Sequence, residues 1–193
     1  MTPYLAPIEM PQSLPMRLVF FFTRRKFGKV LTPLTVFSAR MPLAFGSFYG
    51  KVAKLDKKLE LTAATVMLVR QRVSNINGCH FCIDIAQWFA AQEHPELLER
   101  LEALGDYRTS PLFSEAERAA LDYATELAGE KTVSPETFDR LARCYGEREI
   151  CDIVWLVASE HLYNISNLGL NIGSDGLCQV PGRRESAAAA RAA

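Results

Sequence analysis

The chain has 193 residues, of which 49% are hydrophobic, and its 22 lysine and arginine residues are balanced by 22 aspartate and glutamate residues. This length favours one domain with attached arms, and the apolar content excludes intrinsic disorder of the whole chain. The charge balance gives no electrostatic reason to expect nucleic acid or an anionic membrane as a partner.

The N-terminal stretch predicts an extended arm followed by interrupted helices. Its first residues carry closely spaced prolines, Pro3, Pro7, Pro11 and Pro15. Such an arm lies either on its own domain or on a partner subunit, and the sequence does not choose between these. From residue 16 to about residue 49 the pattern is helical, with Pro33 and Pro42 limiting each piece. The apolar run at residues 18–22 is too short to span a bilayer, and no signal-peptide cleavage site follows it.

The central part of the chain predicts two consecutive helices. The segment "LELTAATVMLVRQRVSNINGC" places Val66, Val69, Val73 and Ile76 on one stripe, and Gly78 offers a left-handed stop. The next helix begins at Cys79 and Cys82, and the dipeptide His94-Pro95 ends it.

Two further helices begin with clear capping signals. "SEAERAALDYATELA" starts at Ser114 and has Glu117 three residues later, which is a capping box. "SPETFDRLARCYG" has Ser134 as its cap and Pro135 in its first turn, and we expect Gly146 to terminate it.

The last predicted helix, "EREICDIVWLVASEHLYNISNLGL", is long. One of its faces carries Ile150, Val154, Val157, His161 and Ile165. Asn164, Asn167 and Asn171 share a side, where exposed polar residues are the default interpretation and hydrogen bonding between helices is the alternative. With no clear strand pattern, the chain is predicted to be an all-α, multi-helix bundle.

The stretch "NGCHFCIDIA" carries the chemistry. A cysteine at a helix N-terminus meets unpaired amides and the positive end of the helix dipole, which favour thiolate over thiol. Residues three apart share a helix face, so Cys79 and Cys82 can bridge. A zinc site or two buried core cysteines remain alternatives, although no second Cys-x-x-Cys supplies further zinc ligands.

The other cysteines favour an intracellular protein. Five cysteines with irregular spacing are not a secreted disulfide framework, so a cytoplasmic location is the simplest interpretation. We interpret Cys144, Cys151 and Cys178 as structural.

Three segments together resemble a known family: "VRQRVSNINGCHFCIDIA", "SPLFSEAERAALDYATEL" and "HLYNISNLGLNIG". They resemble the carboxymuconolactone decarboxylase family in its alkylhydroperoxidase-D-like, peroxidase-related branch, over about residues 61–176. The resemblance implies an all-helical fold of the alkylhydroperoxidase-D-like type, a homo-oligomer, and a thiol-dependent peroxidase or disulfide reductase. The decarboxylase branch proper lacks the cysteine pair, so the resemblance implies lactone decarboxylation less well than thiol chemistry.

The family's redox motif is Glu-x11-Cys-x2-Cys-x3-His. By resemblance, Cys82 is the attacking cysteine and Cys79 the resolving one. The Glu position falls on Met67 and the His position on Ala86, so both members of the family's proton relay are missing. General acid–base help typically contributes about 10²–10⁴-fold, so their loss matters.

Three residues are the candidates for a substitute relay. His80 lies between the cysteines, and Asp84 follows one turn later to orient it. His161 lies in the last helix beside Glu160, and a core histidine is its ordinary alternative role.

These observations predict three segments: an arm with N-terminal helices at 1–57, the cysteine-bearing core at 58–180, and a flexible, alanine-rich tail at 181–193. The leading hypothesis is an antioxidant, peroxiredoxin-type oxidoreductase that passes electrons from an unidentified dithiol reductant to a hydroperoxide or disulfide. It needs no cofactor, no metal, no nucleic acid and no membrane. The alternative is a weakened or inactive helical oligomer that binds a small apolar ligand or a protein partner.

Overall fold

A computed structural model of the protein describes residues 1–177. The predicted flexible tail and the last three residues of the predicted core segment, which include Cys178, lie outside the described residues. The described part is all-α, as predicted, and contains no strand. Its α-helices are α1 (Leu14–Phe27), α2 (Gly50–Asp56), α3 (Ala63–Asn77), α4 (His80–Glu93), α5 (Leu98–Glu102), α6 (Glu115–Glu130), α7 (Pro135–Ala142) and α8 (Glu147–Leu168).

Short helical turns of other kinds join these elements. Two π-helical turns, Leu34–Ser38 and Ala44–Tyr49, lie between α1 and α2. Two 3-10 turns, Pro95–Leu97 and Ala103–Asp106, flank α5. The prediction of interrupted helices before residue 50 is therefore confirmed, and the pieces between α1 and α2 are largely π-helical. Among the described residues, no helix is long and apolar enough to cross a membrane.

The helix boundaries follow capping signals, with two differences from the sequence prediction. Ser114 and Glu117 form the predicted capping box of α6, and Ser134 caps α7. The helix α3 begins at Ala63, later than the pattern suggested, because the Thr62 hydroxyl accepts the N–H of Thr65 at 3.1 Å. The prediction that Gly146 terminates α7 is wrong: α7 ends at Ala142, and Gly146 is instead the N-cap residue of α8.

The main core lies between α3, α6 and α8. The predicted stripe of α3 is confirmed, since Val69 and Val73 are fully buried within it. They meet Ala120 and Ala124 of α6, whose small side chains let the helices approach closely, and Ile153 of α8. This three-helix core fixes the end of α3, where the cysteine motif begins.

A second buried cluster joins the N-terminal segment to α4. It holds Met16 and Phe20 of α1, Leu34 and Val36 of the first π-helical turn, and the cysteines of the motif. Residues 16–45 of the N-terminal segment therefore pack in one cluster with the cysteine-bearing helix.

The N-terminal arm lies on its own chain. The N–H of Tyr4 donates to the carbonyl of Leu170 at 3.1 Å, and the N–H of Ile8 donates to that of Thr35 at 3.0 Å. Asn171 donates to the carbonyl of Thr2 at 2.8 Å. Of the two alternatives that the sequence leaves open, these hydrogen bonds support an arm that lies on its own domain.

The buried face of α8 overlaps only in part with the predicted apolar face, of which Val157 is 2% exposed and lies in the main core. Val154 and Ile165 of that predicted face are 39% and 64% exposed. The face turned inward instead carries Glu160, Asn164 and Asn167, which are at most 6% exposed. The default interpretation of the two asparagines as exposed is thus wrong, because hydrogen bonds to other helices satisfy them.

Candidate active site at the cysteine pair

The junction between α3 and α4 places the two cysteines. Gly78 adopts the predicted left-handed conformation, with φ of 69°, and turns the chain at the end of α3. Cys79 is the N-cap residue of α4, and its N–H donates to the carbonyl of Ser74 at 3.0 Å. The Cα atoms of Cys79 and Cys82 are 5.3 Å apart, and a disulfide joins the two side chains. The protein is therefore described in its oxidised form.

Asn167 of α8 contacts both sulfurs. Its amide Nδ2 donates to Cys82 Sγ at 3.4 Å and to Cys79 Sγ at 3.7 Å. The N–H of Cys82 donates to Cys79 Sγ at 3.4 Å. Hydrogen-bond donors aimed at a sulfur stabilise the thiolate once the disulfide is reduced. The sequence does not indicate this role for Asn167, although its spacing from Asn164 on one side of the helix is the available signal.

A large apolar cavity of about 710 Å³ opens beside the pair. Cys82 lines this cavity, whereas Cys79 is fully buried behind it. Phe81, Ile85 and Phe89 of α4 form the wall around Cys82. The opposite wall comes from the N-terminal segment and includes Phe27, Leu31, Leu34, Phe37, Phe45 and Tyr49.

One end of the cavity is polar and holds a buried carboxyl. Glu160 lines the cavity and is 6% exposed. Its Oε1 accepts hydrogen bonds from the Ser74 hydroxyl and from Asn164 Nδ2, both at 2.8 Å. Arg70 lies 3.6 Å from Oε2 and also pairs with Asp56 at 2.7 Å. Burial raises the pKa of Glu160, against the opposing effect of Arg70.

No family model matches the chain. The uncharacterized protein YnjA of Escherichia coli (strain K12) is 32% identical over 167 residues, which are 83% of this chain and 88% of YnjA. A peroxidase-related protein from Ralstonia eutropha JMP134 with an alkylhydroperoxidase AhpD core superimposes with a TM-score of 0.72 at 19% identity, over 94% of this chain and 96% of that one. The chain belongs to the carboxymuconolactone decarboxylase family, in its alkylhydroperoxidase-D-like branch.

A second solved structure is similar over nearly the whole chain. It is a cysteine-to-alanine variant of the debrominase Bmp8 in complex with 2,3,4-tribromopyrrole, with a TM-score of 0.77. It is 20% identical, over 93% of this chain and 95% of that one. At this identity the similarity establishes the fold.

The chain departs from the family's relay pattern at two positions in the wall of this cavity. Met67 and Ala86, which occupy the Glu and His positions of the motif, both line the cavity that Cys82 faces. The surface beside the sulfur is therefore apolar where the family pattern has two ionisable groups.

The predicted relay candidates do not meet at Cys82. His80 is exposed at the start of α4. Asp84 is buried and accepts hydrogen bonds from the Ser174 hydroxyl at 2.9 Å and from the N–H of Leu177 at 3.0 Å. These bonds tie down the chain after α8. Neither His80 nor Asp84 lines the cavity, and their relay role stays a prediction.

His161 also lies away from the cavity wall. Its Nδ1 is 2.9 Å from Asn77 Nδ2, which in turn donates to Asn164 Oδ1 at 2.8 Å. Desolvation lowers the pKa of His161. The ring therefore joins the polar network from the side away from Cys82, while its neighbour Glu160 faces the cavity.

The remaining cysteines of the described part lie apart from the pair. Cys144 and Cys151 are free thiols, the first partly buried and the second exposed. Residues 1–177 contain no group of three or more His, Cys, Asp or Glu side chains that could hold a metal ion.

Proposed function

We propose that the protein is a thiol-dependent oxidoreductase that reduces a small, largely apolar hydroperoxide with the Cys79–Cys82 dithiol. One observation carries the proposal: the cavity reaches Cys82, and the bonded Cys79 lies directly behind it, out of contact with the cavity. This order suits an attacking thiolate that meets the substrate and a resolving thiol that meets only its neighbour.

The chemistry balances as a two-electron reduction. The Cys82 thiolate attacks the terminal oxygen of the hydroperoxide, the O–O bond breaks, and the leaving alkoxide takes up a proton to become the alcohol. The Cys79 thiolate then attacks the sulfenic acid on Cys82, which forms the disulfide and releases water after protonation. An external dithiol restores both thiols by exchange at Cys82 Sγ, the sulfur that faces the cavity.

The apolar walls support the substrate class. Aromatic and aliphatic side chains surround Cys82, so an organic group on the peroxide is desolvated on binding, whereas hydrogen peroxide gains little from them. We expect cumene hydroperoxide to oxidise the reduced protein faster than hydrogen peroxide does.

The test counts thiols in the reduced protein after one equivalent of cumene hydroperoxide. Mass spectrometry should show two thiols lost in the wild type and in Cys151→Ser, which removes an exposed cysteine away from the pair. Cys79→Ser should accumulate a sulfenic acid on Cys82 that dimedone traps, and Cys82→Ser should keep its remaining pair thiol, Cys79, reduced. If the pair stays reduced in the wild type, the protein is instead a ligand-binding oligomer without peroxidase chemistry.

A reductive dehalogenase is the second candidate. It is favoured by the similarity to Bmp8 with bound 2,3,4-tribromopyrrole and by the aromatic lining of the cavity. Replacing a ring halogen by hydrogen, with release of the halide and a proton, uses the two electrons and two protons that the dithiol gives up on closing to a disulfide. Ion chromatography would detect bromide released from tribromopyrrole by the reduced protein but not by Cys82→Ser.

A homo-oligomer belongs to the same proposal. Leu14, Leu18, Phe21 and Phe22 lie on one side of α1 and are each at least 60% exposed. Such an apolar helix face suits contact with a second copy of the chain. Light scattering should report a multimer, and Phe21→Glu should reduce its mass; a monomeric wild type would contradict this.

A further inference from the structure

The proposed reaction needs a proton at the oxygen that leaves. An alkoxide is a poor leaving group unless an acid protonates it as the O–O bond breaks. Family members place ionisable relay residues at the positions that Met67 and Ala86 occupy here. The acid must therefore come from another part of the cavity wall.

The lining residues leave one carboxyl as candidate. Among the described residues that line the cavity, the ionisable groups besides Cys82 are Arg70, Glu160, Tyr49 and Tyr163. An arginine stays cationic at all relevant pH values, and a phenol is a weak acid near neutrality. Burial also raises the pKa of Tyr163 to about 12. Glu160 is the one carboxyl in this set.

We propose that Glu160 is the general acid of this site, replacing from α8 the relay that the family motif supplies from α3 and α4. This inference rests on the proposed peroxidase function. It assigns a catalytic role to a residue outside the redox motif, on the same helix that contributes Asn167.

The hydrogen bonds around Glu160 suit a proton on one particular oxygen. Oε1 accepts from both Ser74 and Asn164, as the carbonyl oxygen of a neutral carboxylic acid does. Oε2 accepts neither of these bonds, and Arg70 lies 3.6 Å from it. A proton on Oε2 would therefore leave both bonds to Oε1 in place. Burial, the largest effect, raises the pKa of Glu160 and favours the protonated acid, while Arg70 and the two hydrogen bonds act in the opposite direction.

The cavity supplies the path for the proton. Glu160, Ser74, Asn167 and Cys82 all line it. Asn167 follows Glu160 by two helical turns and so faces the same side of α8. Two turns span about 11 Å, so the proton of Glu160 would reach a hydroperoxide at Cys82 through water in the cavity.

Ser74 and Asn164 are positioning residues in this scheme. Ser74 also ties the acid to the cysteine turn, because its carbonyl accepts the N–H of Cys79. Ser74 of α3 thus contacts both Glu160 and the turn that carries the cysteine pair.

The test varies the leaving group. tert-Butyl hydroperoxide releases an alkoxide, which needs a proton, whereas peracetic acid releases acetate, which does not. Stopped-flow oxidation of reduced Glu160→Gln should be about 10²–10⁴-fold slower than wild type with tert-butyl hydroperoxide. With peracetic acid the two proteins should react at the same rate, within about twofold, which also shows that the variant is folded and its thiols are intact.

Asp152→Asn is the matched control. Asp152 is another carboxyl of α8, 3% exposed, that does not line the cavity. It should leave the ratio of the two rates unchanged. Equal slowing of Glu160→Gln with both oxidants, or no slowing with either, would overturn the assignment of Glu160 while leaving the peroxidase function standing. No thiol loss in the wild type with either oxidant would overturn both.

Discussion

Removing the Asn167 amide should make the Cys82 thiolate scarcer. Asn167 donates to both sulfurs and is 6% exposed. A hydrogen bond to a charged group contributes about 1.5–3 kcal/mol, and N···S distances of 3.4 and 3.7 Å place this one at the low end. About 1.4 kcal/mol is a factor of ten. We therefore expect Asn167→Ala to lower the thiolate population of Cys82 at pH 7 about tenfold.

The assay measures alkylation of a single thiol. In a Cys79→Ser background, the rate of reaction of Cys82 with iodoacetamide follows its thiolate population. Asn167→Ala should slow this reaction about tenfold at pH 7, and the difference between the two proteins should shrink as the pH rises. Ser159→Ala removes another buried polar group of α8, whose hydroxyl donates to its own helix, and should not change the rate. An unchanged rate in Asn167→Ala would refute the role of the amide.

Three further predictions follow from the same geometry. Ala86→His places a base one turn beyond Cys82 on the cavity wall. Stopped-flow oxidation of the reduced protein by an alkyl hydroperoxide should therefore become at least about tenfold faster. An unchanged rate would mean that a side chain at residue 86 cannot reach the substrate. Gly78→Ala should lower the free energy of unfolding by about 1–2 kcal/mol in urea, since φ is 69° at residue 78, whereas Gly129→Ala, in ordinary helical conformation, should not destabilise the protein. Burial raises the pKa of Glu160, so the folded protein binds that proton more tightly than the unfolded chain does. The resulting stabilisation of the folded state is complete below the ordinary pKa of 4.5 and is lost as the pH rises through the raised pKa. Thermal melts should therefore show Glu160→Gln gaining stability relative to wild type from about pH 4.5 upward, and a pH-independent difference would contradict the raised pKa.

The helices could be predicted from the sequence where local signals decide them. The capping box at Ser114 and the left-handed stop at Gly78 act within one turn of chain, and both are present as expected. Gly146 was misassigned because a glycine serves equally at the end of one helix and at the start of the next. Only the packed structure separates these roles.

The buried polar face of α8 could not be predicted from periodicity. Hydrophobic pattern assigns polar residues to solvent, but Asn164 and Glu160 satisfy each other and bond to α3. Their burial depends on partners about 90 residues away in sequence. The sequence alone therefore indicates Glu160 only as the acid beside His161.

The sequence predicts the cysteine pair of the site but not the other side chains that share its cavity. Cys79 and Cys82 announce themselves by spacing alone, so the pair was found directly. The sequence offers His80 and Asp84 beside the motif and His161 on the last helix as relay candidates, but none of the three lines the cavity, which is assembled from distant segments. Which side chains share that cavity is a property of tertiary packing.

Because the N-terminal segment forms one wall of the cavity, substrate selection and the redox step depend on different parts of the chain. The residues that perform the redox step follow residue 60, while Phe27, Leu31, Phe37 and Phe45, which shape the far wall, precede it. Divergence in the first sixty residues can thus retune what fits beside Cys82 without touching the thiols. A chimaera that carries residues 27–53 of a relative should accordingly inherit that relative's substrate preference and keep its own electron transfer.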